Sequence, residues 1–311
     1  MTAEGFALVV TGATGFLGRR TLAMAADQLP GAVPVGWVRS AADGLRLPEA
    51  ACVVQGDLGS PADIARAVRS LPEGPVRLIH LGGYFPHGAE TEDAAERGVA
   101  INVLGSVALV RALGDRLQAV AFASTFDVYG YPARLPVSED AALSPRTFYA
   151  ASKAAAELML QVELGRAGIP LACLRLAHVY GPGDTSSKAI PFFAQRCLQG
   201  MPPEVAVGSH GASVRDYLFA DDAVRALCGA ARRRASGCYN VGGGKPVSLD
   251  EVACLVCELT GTDRLRERRV PDGAVTRIYL DVDRARRDLE FVPQTSLRDG
   301  ITAYISWLRS R

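Results

Sequence analysis

A glycine-rich turn directly after an apolar run is the feature that most limits how this 311-residue chain can fold. Residues 6–10 are apolar and are predicted to form a buried strand, and the run TGATGFLG at 11–18 follows it. Gly12 permits a tight turn, Gly15 lets the backbone approach a pyrophosphate, and Gly18 allows the next helix to pack closely on the strand. The free N–H groups at the start of that helix favour phosphate. The pattern therefore predicts a strand–turn–helix unit that binds a dinucleotide.

Short β-rich runs alternate with helical stretches through the first half of the chain. The predicted strands are 6–10, 33–38, 52–55, 76–81, 119–123 and 171–176, and the predicted helices are 16–27, 61–70, 93–113 and 149–166. This alternation predicts an α/β fold with a doubly wound parallel sheet, the Rossmann architecture.

Glycine and proline become frequent after Tyr180, which favours a smaller, looser C-terminal lobe. We expect a dinucleotide-binding Rossmann domain over residues 1–176. Residues 177–311 are expected to form mainly a substrate-binding lobe, with some segments, such as 238–241, returning to the Rossmann sheet.

Charge and hydropathy exclude several classes of function. The 34 basic and 33 acidic side chains give a formal net charge of +1, whereas duplex binding needs a basic surface, so nucleic acid is not an expected partner. No stretch reaches about 18 uninterrupted apolar residues, so no membrane span is expected. Residues 1–5 lack the basic start of a signal peptide, which favours a cytoplasmic protein.

Only two of the seven cysteines, Cys254 and Cys257, lie close together in the sequence. Ser248 and Glu251 form a capping-box pattern ahead of them, and Gly261 is a typical helix stop. Because no second cysteine pair or histidine cluster is near, both cysteines are interpreted as small apolar residues of a helix. No metal site is expected.

The residues that follow the second, third and fourth strands bear on the cofactor. An acidic residue after the second strand typically binds the ribose 2′-hydroxyl of NAD, but Arg39 occupies this region here. A guanidinium pairs well with a 2′-phosphate, so NADP is favoured and NAD is the alternative. Asp57 and Leu58 are placed to meet the adenine, and the small residues of 81–83 let the cofactor pass closely.

Tyr149 and Lys153 form a tyrosine–lysine pair four residues apart. On a helix they share one face, and an ammonium beside a phenol lowers the tyrosine pKa from its usual value of about 10. The chain has only three lysines, Lys153, Lys188 and Lys245, among its 34 basic residues, which favours a specific role for those it keeps. Thr125 follows the fifth strand, where its hydroxyl can hold a substrate oxygen beside the phenol.

Further runs complete a pattern that covers nearly the whole chain. They are TGATGFLG at 11–18, STFDVYG at 124–130, YAASK at 149–153, RLAHVYGP at 175–182, VRDYLFADD at 214–222 and YNVG at 239–242. In order and spacing they resemble the extended short-chain dehydrogenase/reductase family, in particular its NAD-dependent epimerase/dehydratase group that acts on nucleotide sugars. The resemblance implies an NAD(P)-dependent enzyme whose substrate is a nucleoside diphosphate sugar.

The resemblance also implies roles for the candidate residues. Tyr149 would transfer the proton at the sugar hydroxyl or ketone. Lys153 would bind the nicotinamide ribose and lower the tyrosine pKa, and Thr125 would hold the reacting oxygen. Arg215 and Arg277 match the family's two diphosphate-binding arginines.

The full set of expected contacts follows from the residues and the resemblance together. The expected cofactor-binding residues are Gly12, Gly15, Phe16, Leu17, Gly18, Arg39, Asp57, Leu58, Leu81, Gly82, Gly83, Tyr149 and Lys153. The expected substrate-binding residues are Thr125, Asp127, His178, Arg215 and Arg277. The helices near 93–113 and 149–166 commonly form the family's dimer interface, so a homodimer is expected.

Three positions depart from the family pattern. The family's 4,6-dehydratases carry an Asp–Glu acid/base pair after the threonine, where this chain has Phe126 and Asp127. This disfavours a dehydratase, because general acid and base roles need two groups with separated pKa values. His178 stands where an asparagine usually touches the sugar or diphosphate, and Arg39 replaces the ribose-binding acid.

These observations favour an NADPH-dependent reductase of a nucleotide-linked 4-keto sugar, with Tyr149 as the proton donor. A ketoreductase must exchange reduced cofactor at each turnover, whereas the family's epimerases keep NAD bound and recycle it. A 4-epimerase with tightly bound NAD is therefore the alternative. The intact tyrosine–lysine pair argues against a third hypothesis, a non-catalytic NADP sensor.

Overall fold

The strand–turn–helix unit at the start of the chain is the first part of one parallel sheet. The computed structural model describes residues 5–44, 47–48, 51–86, 91–263 and 265–311, so most of the 1–5 segment lies outside the described residues. The strands are β1 (Phe6–Thr11), β2 (Ala32–Val38), β3 (Cys52–Gln55), β4 (Val76–His80), β5 (Leu117–Thr125), β6 (Leu171–Leu176), β7 (His178–Tyr180), β8 (Glu204–Gly208), β9 (Gly211–Ala212), β10 (Val214–Arg215), β11 (Tyr217–Phe219), β12 (Gly237–Val241), β13 (Val247–Ser248) and β14 (Arg266–Arg269). The α-helices are α1 (Phe16–Gln28), α2 (Ala41–Gly44), α3 (Pro61–Arg69), α4 (Glu92–Arg97), α5 (Ser106–Leu113), α6 (Phe148–Arg166), α7 (Ala189–Leu198), α8 (Ala220–Arg233), α9 (Leu249–Thr260), α10 (Asp283–Leu289) and α11 (Leu297–Arg309).

Seven strands form the main sheet in the order β12–β6–β5–β4–β1–β2–β3, and every neighbouring pair is parallel. The predicted doubly wound α/β fold is therefore confirmed. After β3, at one edge, the chain returns to the other side of β1 as β4. The loops after β1 and β4 diverge at this reversal, and ligands of such sheets bind in the crevice at these carboxyl ends.

Apolar side chains fill both faces of this sheet. On one face, Leu22 of α1 and Leu227 of α8 pack with Leu8 of β1. On the other, Leu160 of α6 packs with Phe122 of β5. All five side chains are buried, and strands covered on both faces are typically continuous apolar runs. This explains why the sequence shows the main strands so clearly.

A separate apolar cluster supports the C-terminal lobe. Phe193 of α7, Val256 of α9 and Ile301 of α11 are buried together. The lobe also contains the three-stranded sheet β14–β8–β9 and the strand pairs β10–β13 and β11–β7. Although α8 and β12 come after residue 177, they belong to the layers of the main sheet. The domain boundary at residue 176 stays a prediction.

The predicted helix over 93–113 is one helical run whose middle, Gly98–Gly105, is π-helical. It packs closely on the loop after β3, because a Cβ on Gly105 would lie 2.3 Å from the carbonyl oxygen of Leu58. The helical run Glu92–Arg116 is long and apolar enough to cross a membrane, but half of its most apolar stretch is buried inside this fold. Part of that burial is against α6.

Candidate active site

The turn between β1 and α1 has the backbone geometry that a dinucleotide needs. Gly12 has a φ of 65°, and a Cβ there would lie 2.9 Å from the backbone nitrogen of Gly82. A Cβ on Gly18 would lie 2.1 Å from the Gly12 carbonyl oxygen, so α1 can pack on the turn only with glycine at that position. Gly15 is the N-cap of α1 and no side chain caps the helix, which leaves its first N–H groups to phosphate. These residues fit a nicotinamide dinucleotide.

The residues predicted to line the inner cofactor site meet at the carboxyl edge of the sheet. Leu81, Gly82 and Gly83 follow β4 directly. The buried Leu58 side chain lies 2.8 Å from where a Cβ on Gly82 would be. A Cβ on Gly83 would lie 2.8 Å from Oδ1 of Asn102. The backbone here is confined on several sides, so larger residues would close the crevice.

The outer part of the predicted cofactor site is more exposed. Phe16 and Leu17 form the first turn of α1 and are half-buried. Arg39 and Asp57 are exposed and follow β2 and β3, which are neighbouring strands. The arrangement agrees with a role for both residues at the adenosine end of the cofactor, and that role stays a prediction.

The catalytic pair predicted from the sequence lies in the first turns of α6. Thr147 caps this helix by accepting a hydrogen bond from the backbone N–H of Ala150. Lys153 is buried, and its Nζ lies 3.9 Å from the centre of the Phe122 ring, which is a cation–π contact. The half-buried ring of Tyr149 packs edge-on against Phe85, with centroids 4.7 Å apart.

The electrostatics of this pair differ from the sequence prediction. Burial raises the pKa of Tyr149, and the charge of Asp127 raises it further. Burial also lowers the pKa of Lys153 to about 8, against the opposing effects of Glu157 and Cys173. The net pKa of Tyr149 is therefore above its usual value, opposite to the direction that the sequence predicted. The prediction considered the effect of the neighbouring ammonium on the tyrosine pKa. It did not consider desolvation of the phenol, which has the larger effect on that pKa here.

Thr125 and Asp127 lie at the end of β5, beside the catalytic pair. Thr125 Oγ1 donates to Asp127 Oδ2 at 3.1 Å and accepts from the Asp127 backbone N–H at 3.2 Å. Burial raises the pKa of Asp127, whereas the Thr125 hydrogen bond and the charges of Lys188 and Arg215 lower it. Asp127 is thus within electrostatic range of Tyr149 and of the two cations.

A cavity of about 210 Å³ lies next to these two cations. The residues that line it include His178, Asp184, Lys188, Arg215, Tyr217 and Leu249. The Arg215 guanidinium is held in place because its Nη1 donates to the carbonyl oxygens of Val214 and Thr276, at 3.0 and 2.8 Å. An arginine fork and a lysine in a half-buried cavity suit a diphosphate.

His178 and Tyr217 are two of the residues that line this cavity. Within the described part of the chain, His178 Nδ1 and the Tyr217 hydroxyl are buried without a hydrogen-bond partner. Burial lowers the pKa of His178 to about 3, and the charges of Arg215 and Lys188 lower it further, so the imidazole is neutral at pH 7. The Phe126 ring packs on it with centroids 4.4 Å apart. Buried polar atoms without partners cost free energy.

Arg277, the second predicted diphosphate-binding arginine, does not line this cavity. It is exposed, and its backbone forms an isolated parallel bridge with Val214, next to Arg215. The fold therefore brings the two arginines onto neighbouring segments, with Arg215 half-buried and Arg277 at the surface.

The sequence predictions missed two residues of this region. Asn102 is buried, and its Oδ1 accepts from the Tyr84 backbone N–H at 2.6 Å. Its Nδ2 donates to the Tyr84 carbonyl oxygen at 3.0 Å and to Ser152 Oγ at 2.8 Å, next to Lys153. No local pattern marked this residue. Lys188 had a signal, since it is one of only three lysines, but it was not among the predicted site residues.

Fold and site together match a known family. The family model described as "NAD dependent epimerase/dehydratase family" matches residues 8–242 of the chain. The chain belongs to this family. It is therefore an enzyme of the short-chain dehydrogenase/reductase type that uses a nicotinamide cofactor, as the glycine turn and the tyrosine–lysine pair predicted.

Relatives in this epimerase/dehydratase family match the chain over nearly its whole length. The dTDP-glucose 4,6-dehydratase of Streptomyces griseus is 31% identical over 312 residues, which cover 96% of this chain and 93% of the relative. The UDP-glucose 4-epimerase of Azospirillum brasilense is 30% identical over 336 residues, which cover 99% and 94%. The crystal structure of DesIV, a dTDP-glucose 4,6-dehydratase from Streptomyces venezuelae with NAD and TYD bound, has a TM-score of 0.82 at 26% identity and 98% coverage of each chain.

Proposed function

We propose that this enzyme uses NADPH to reduce a keto group at C4 of the sugar in a nucleoside diphosphate sugar. The observation that carries the proposal is the position of Asp127, which is hydrogen-bonded to Thr125 at the end of β5 and lies within electrostatic range of Tyr149, Lys188 and Arg215. A proton donor and a pair of cations suited to diphosphate therefore both lie within electrostatic range of one carboxylate. Two relatives, a dTDP-glucose 4,6-dehydratase and a UDP-glucose 4-epimerase, support this substrate class.

In this proposal, side chains of the enzyme bind the reacting oxygen and donate a proton to it. A bound nicotinamide cofactor supplies the hydride. The Tyr149 hydroxyl donates its proton to the sugar oxygen, and Thr125 Oγ1 turns from Asp127 to donate to the same oxygen. The Lys153 ammonium stabilises the phenolate that remains. Burial raises the pKa of Tyr149, so the phenol is protonated at neutral pH and ready to act as an acid.

Phe126 favours reduction over dehydration. Elimination of water needs one group to take a proton and another to give one to the leaving hydroxyl. Asp127 can serve as one such group, but its neighbour is a phenyl ring that packs against His178. That imidazole is neutral at pH 7, because its pKa is lowered to about 3. Reduction of a ketone needs only the one proton that Tyr149 supplies.

Arg39 favours NADPH over NADH. It is exposed at the end of β2, next to the end of β3, where the adenosine ribose of a cofactor bound to the β1–α1 turn would lie. A guanidinium there can form charge-assisted hydrogen bonds with a 2′-phosphate. A 2′-hydroxyl offers no such charge.

A second candidate function is 4-epimerisation with resident NAD. It is favoured by the Azospirillum brasilense relative, a UDP-glucose 4-epimerase, and by DesIV, which was solved with NAD. In this case Tyr149 would remove a proton from the C4 hydroxyl and return it after the sugar has presented its other face. The same residues serve both reactions, and the fate of the cofactor separates them.

The deciding experiment measures the nucleotide that the purified enzyme carries and then its turnover. The protein is denatured, and any released nucleotide is identified and quantified. An empty site or NADP(H), followed by oxidation of added NADPH with a nucleotide-linked 4-keto sugar, is the expected result. Near-stoichiometric NAD, with interconversion of two sugars in the absence of added cofactor, would overturn the reductase assignment and establish the epimerase.

We further infer that the enzyme is a cytoplasmic homodimer. An apolar group of side chains remains exposed on the helical run 92–113 and on α6. Its members are Val99, Leu104, Leu158, Met159 and Val162, each between 44% and 58% exposed. A second copy that packs against both helices would bury this group, and such patches favour association.

A further inference from the structure

Two cysteines lie opposite each other at the edge of the main sheet. Cys238 belongs to the edge strand β12, and its register partner on the parallel strand β6 is Cys173. Both side chains point to the face that α6 covers, since Cys173 belongs to the apolar cluster under that helix and Cys238 packs against it. Cys173 is buried, whereas Cys238 is half-buried.

Hydrogen-bond donors surround the sulfur of Cys238. Gln161 Nε2 donates to it at 3.4 Å, and Arg175 Nη2 donates to it at 3.6 Å. A second guanidinium is near, because Arg284 Nη1 donates to the Cys238 carbonyl oxygen at 3.5 Å. Glu157 is the opposing charge, but it is paired with Arg175 at 2.7 Å. Donors and cations of this kind favour a thiolate.

The ionisation of the two thiols agrees with this geometry. The pKa of Cys238 is lowered, first by the hydrogen bond from Cys173 and then by the charges of Arg175 and Arg284, against the effects of burial and of Glu157. The pKa of Cys173 is raised by the same hydrogen bond and by its burial. One cysteine is thus the better nucleophile, and the other is a protonated neighbour within reach.

We propose that Cys238 and Cys173 form a reversible oxidation site, in which Cys238 reacts with a peroxide and Cys173 then closes a disulfide. In the first step the Cys238 thiolate attacks one oxygen of hydrogen peroxide, the O–O bond breaks, and Cys238 sulfenic acid and hydroxide form. In the second step the Cys173 sulfur attacks the Cys238 sulfur, the S–O bond breaks, and water leaves. Two thiols are oxidised by two electrons in total, and the peroxide is reduced to two waters. A thiol reductant reverses the change.

The chain contains internal controls for this site. Cys197 and Cys257 are a second interacting pair, but both are buried, and burial followed by the charge of Cys197 raises the pKa of Cys257 to about 12. Cys254 and Cys52 are exposed cysteines. If proximity alone decided the chemistry, the pair at 197 and 257 would react as well. If exposure alone decided it, Cys254 and Cys52 would react first.

The experiment treats the reduced full-length enzyme with hydrogen peroxide at pH 7, blocks the remaining thiols in denaturant, and maps the peptides by mass spectrometry. The expected result is a loss of two hydrogens in intact mass, a linked peptide pair that contains Cys173 and Cys238, and full reversal by dithiothreitol. Cys238 should be modified about fivefold faster than Cys254. Oxidation of Cys254 or Cys52 ahead of Cys238, or oxidation of Cys238 with no link to Cys173, would overturn the proposal.

Three variants sharpen the test. Cys173→Ser removes the second thiol, so Cys238 sulfenic acid should accumulate and be trapped by dimedone. Cys238→Ser should abolish peroxide sensitivity of Cys173. Gln161→Glu, at an exposed position, replaces a donor with a negative charge beside the sulfur and should slow modification of Cys238 several-fold. An unchanged rate in Gln161→Glu would contradict the role given to the donors around Cys238.

Discussion

The side-chain amide of Asn102 joins the π-helical segment to the catalytic helix, with Nδ2 lying 2.8 Å from Ser152 Oγ. The Ser152 hydroxyl in turn donates to the Tyr149 carbonyl oxygen at 2.8 Å. The same amide makes two hydrogen bonds to the backbone of Tyr84, in the loop that follows β4. One buried side chain therefore fixes the cofactor-side loop and the first turn of α6 relative to each other.

Asn102→Ala should lower both stability and turnover. The change removes the partner of the Tyr84 N–H and one of the two hydrogen bonds of the buried Ser152 hydroxyl, which should cost about 2 kcal/mol in the free energy of unfolding. Turnover should fall about tenfold, because catalysis depends on the relative positions of cofactor and phenol. Urea unfolding and kcat at saturating cofactor measure the two effects.

Asn240→Ala is the matched control for this change. Asn240 is also buried, and both its Oδ1 and its Nδ2 form hydrogen bonds. Its partners are Tyr129, Val137 and Asp281, none of which belongs to α6. It should lose similar stability and keep its kcat. Equal losses of kcat in both variants would show that Asn102 acts only through stability.

Tyr149→Phe should lower turnover by about 100-fold or more, because the phenol proton is removed while the ring remains. Cofactor binding, measured by fluorescence titration, should stay near the wild-type value. Tyr131→Phe, at a tyrosine that is 68% exposed, should leave both quantities unchanged. Full turnover in Tyr149→Phe would exclude this residue as the proton donor.

Arg39→Ala should weaken NADP binding by about tenfold and leave NAD binding nearly unchanged, because only the 2′-phosphate forms charge-assisted hydrogen bonds with the guanidinium. Calorimetric titration with both cofactors measures the two affinities. Arg66→Ala, which removes an exposed arginine paired with Asp63 on α3, should change neither. An equal change in the affinities for NADP and NAD would show that Arg39 does not bind the 2′-phosphate.

Acidification below pH 7 should destabilise the enzyme in part through His80. Burial, and then the charge of Lys153, lowers the pKa of His80 to about 3, while Thr11 Oγ1 lies 2.6 Å from its Nδ1 and Ser106 Oγ lies 2.8 Å from its Nε2. In the unfolded chain His80 takes up a proton near pH 6.5, whereas in the folded protein it stays neutral at that pH. The stabilisation is therefore complete above pH 6.5 and is lost as the pH falls towards 3.

Between pH 7.5 and 5.5 this histidine should account for a loss of about 1.4 kcal/mol in the free energy of unfolding. His80→Gln should show a correspondingly smaller loss over the same interval, even if its stability at pH 7.5 is lower. His210→Gln, at an exposed histidine, should retain the wild-type loss. Identical pH dependence in His80→Gln and the wild type would contradict the prediction.

Leu104→Arg combined with Leu158→Arg should convert the proposed dimer to a monomer. Both side chains are more than half exposed, and two buried cations without partners would prevent a second copy from packing there. Light scattering after size-exclusion chromatography gives the mass. Val292→Arg, at a valine that is 58% exposed elsewhere, should leave the mass unchanged. A wild-type mass equal to one chain would remove the basis of the dimer proposal.

Local sequence patterns were sufficient to predict the fold and the placement of Tyr149 and Lys153 on one helix. The glycine turn, the apolar strands and the YAASK run at 149–153 depend on the conformations of residues a few positions apart. Residues close together in the sequence are enough to recognise each of these features. They are a strand buried on both faces, a turn that needs glycine, and two side chains on one helical face. For the same reason the capping box of Ser248 and Glu251 and the end of α9 at Gly261 were also predicted correctly.

What the sequence could not determine depends on burial and on contacts between distant segments. Desolvation reverses the predicted direction of the Tyr149 pKa, and the α6 spacing holds no information about it. The hydrogen bond from Asn102 to Ser152 and the effect of the Lys188 charge on Asp127 arise only when separate elements pack together. The order of the strands likewise puts Cys173 opposite Cys238, because β12 returns to the edge of a sheet that the first half of the chain has built.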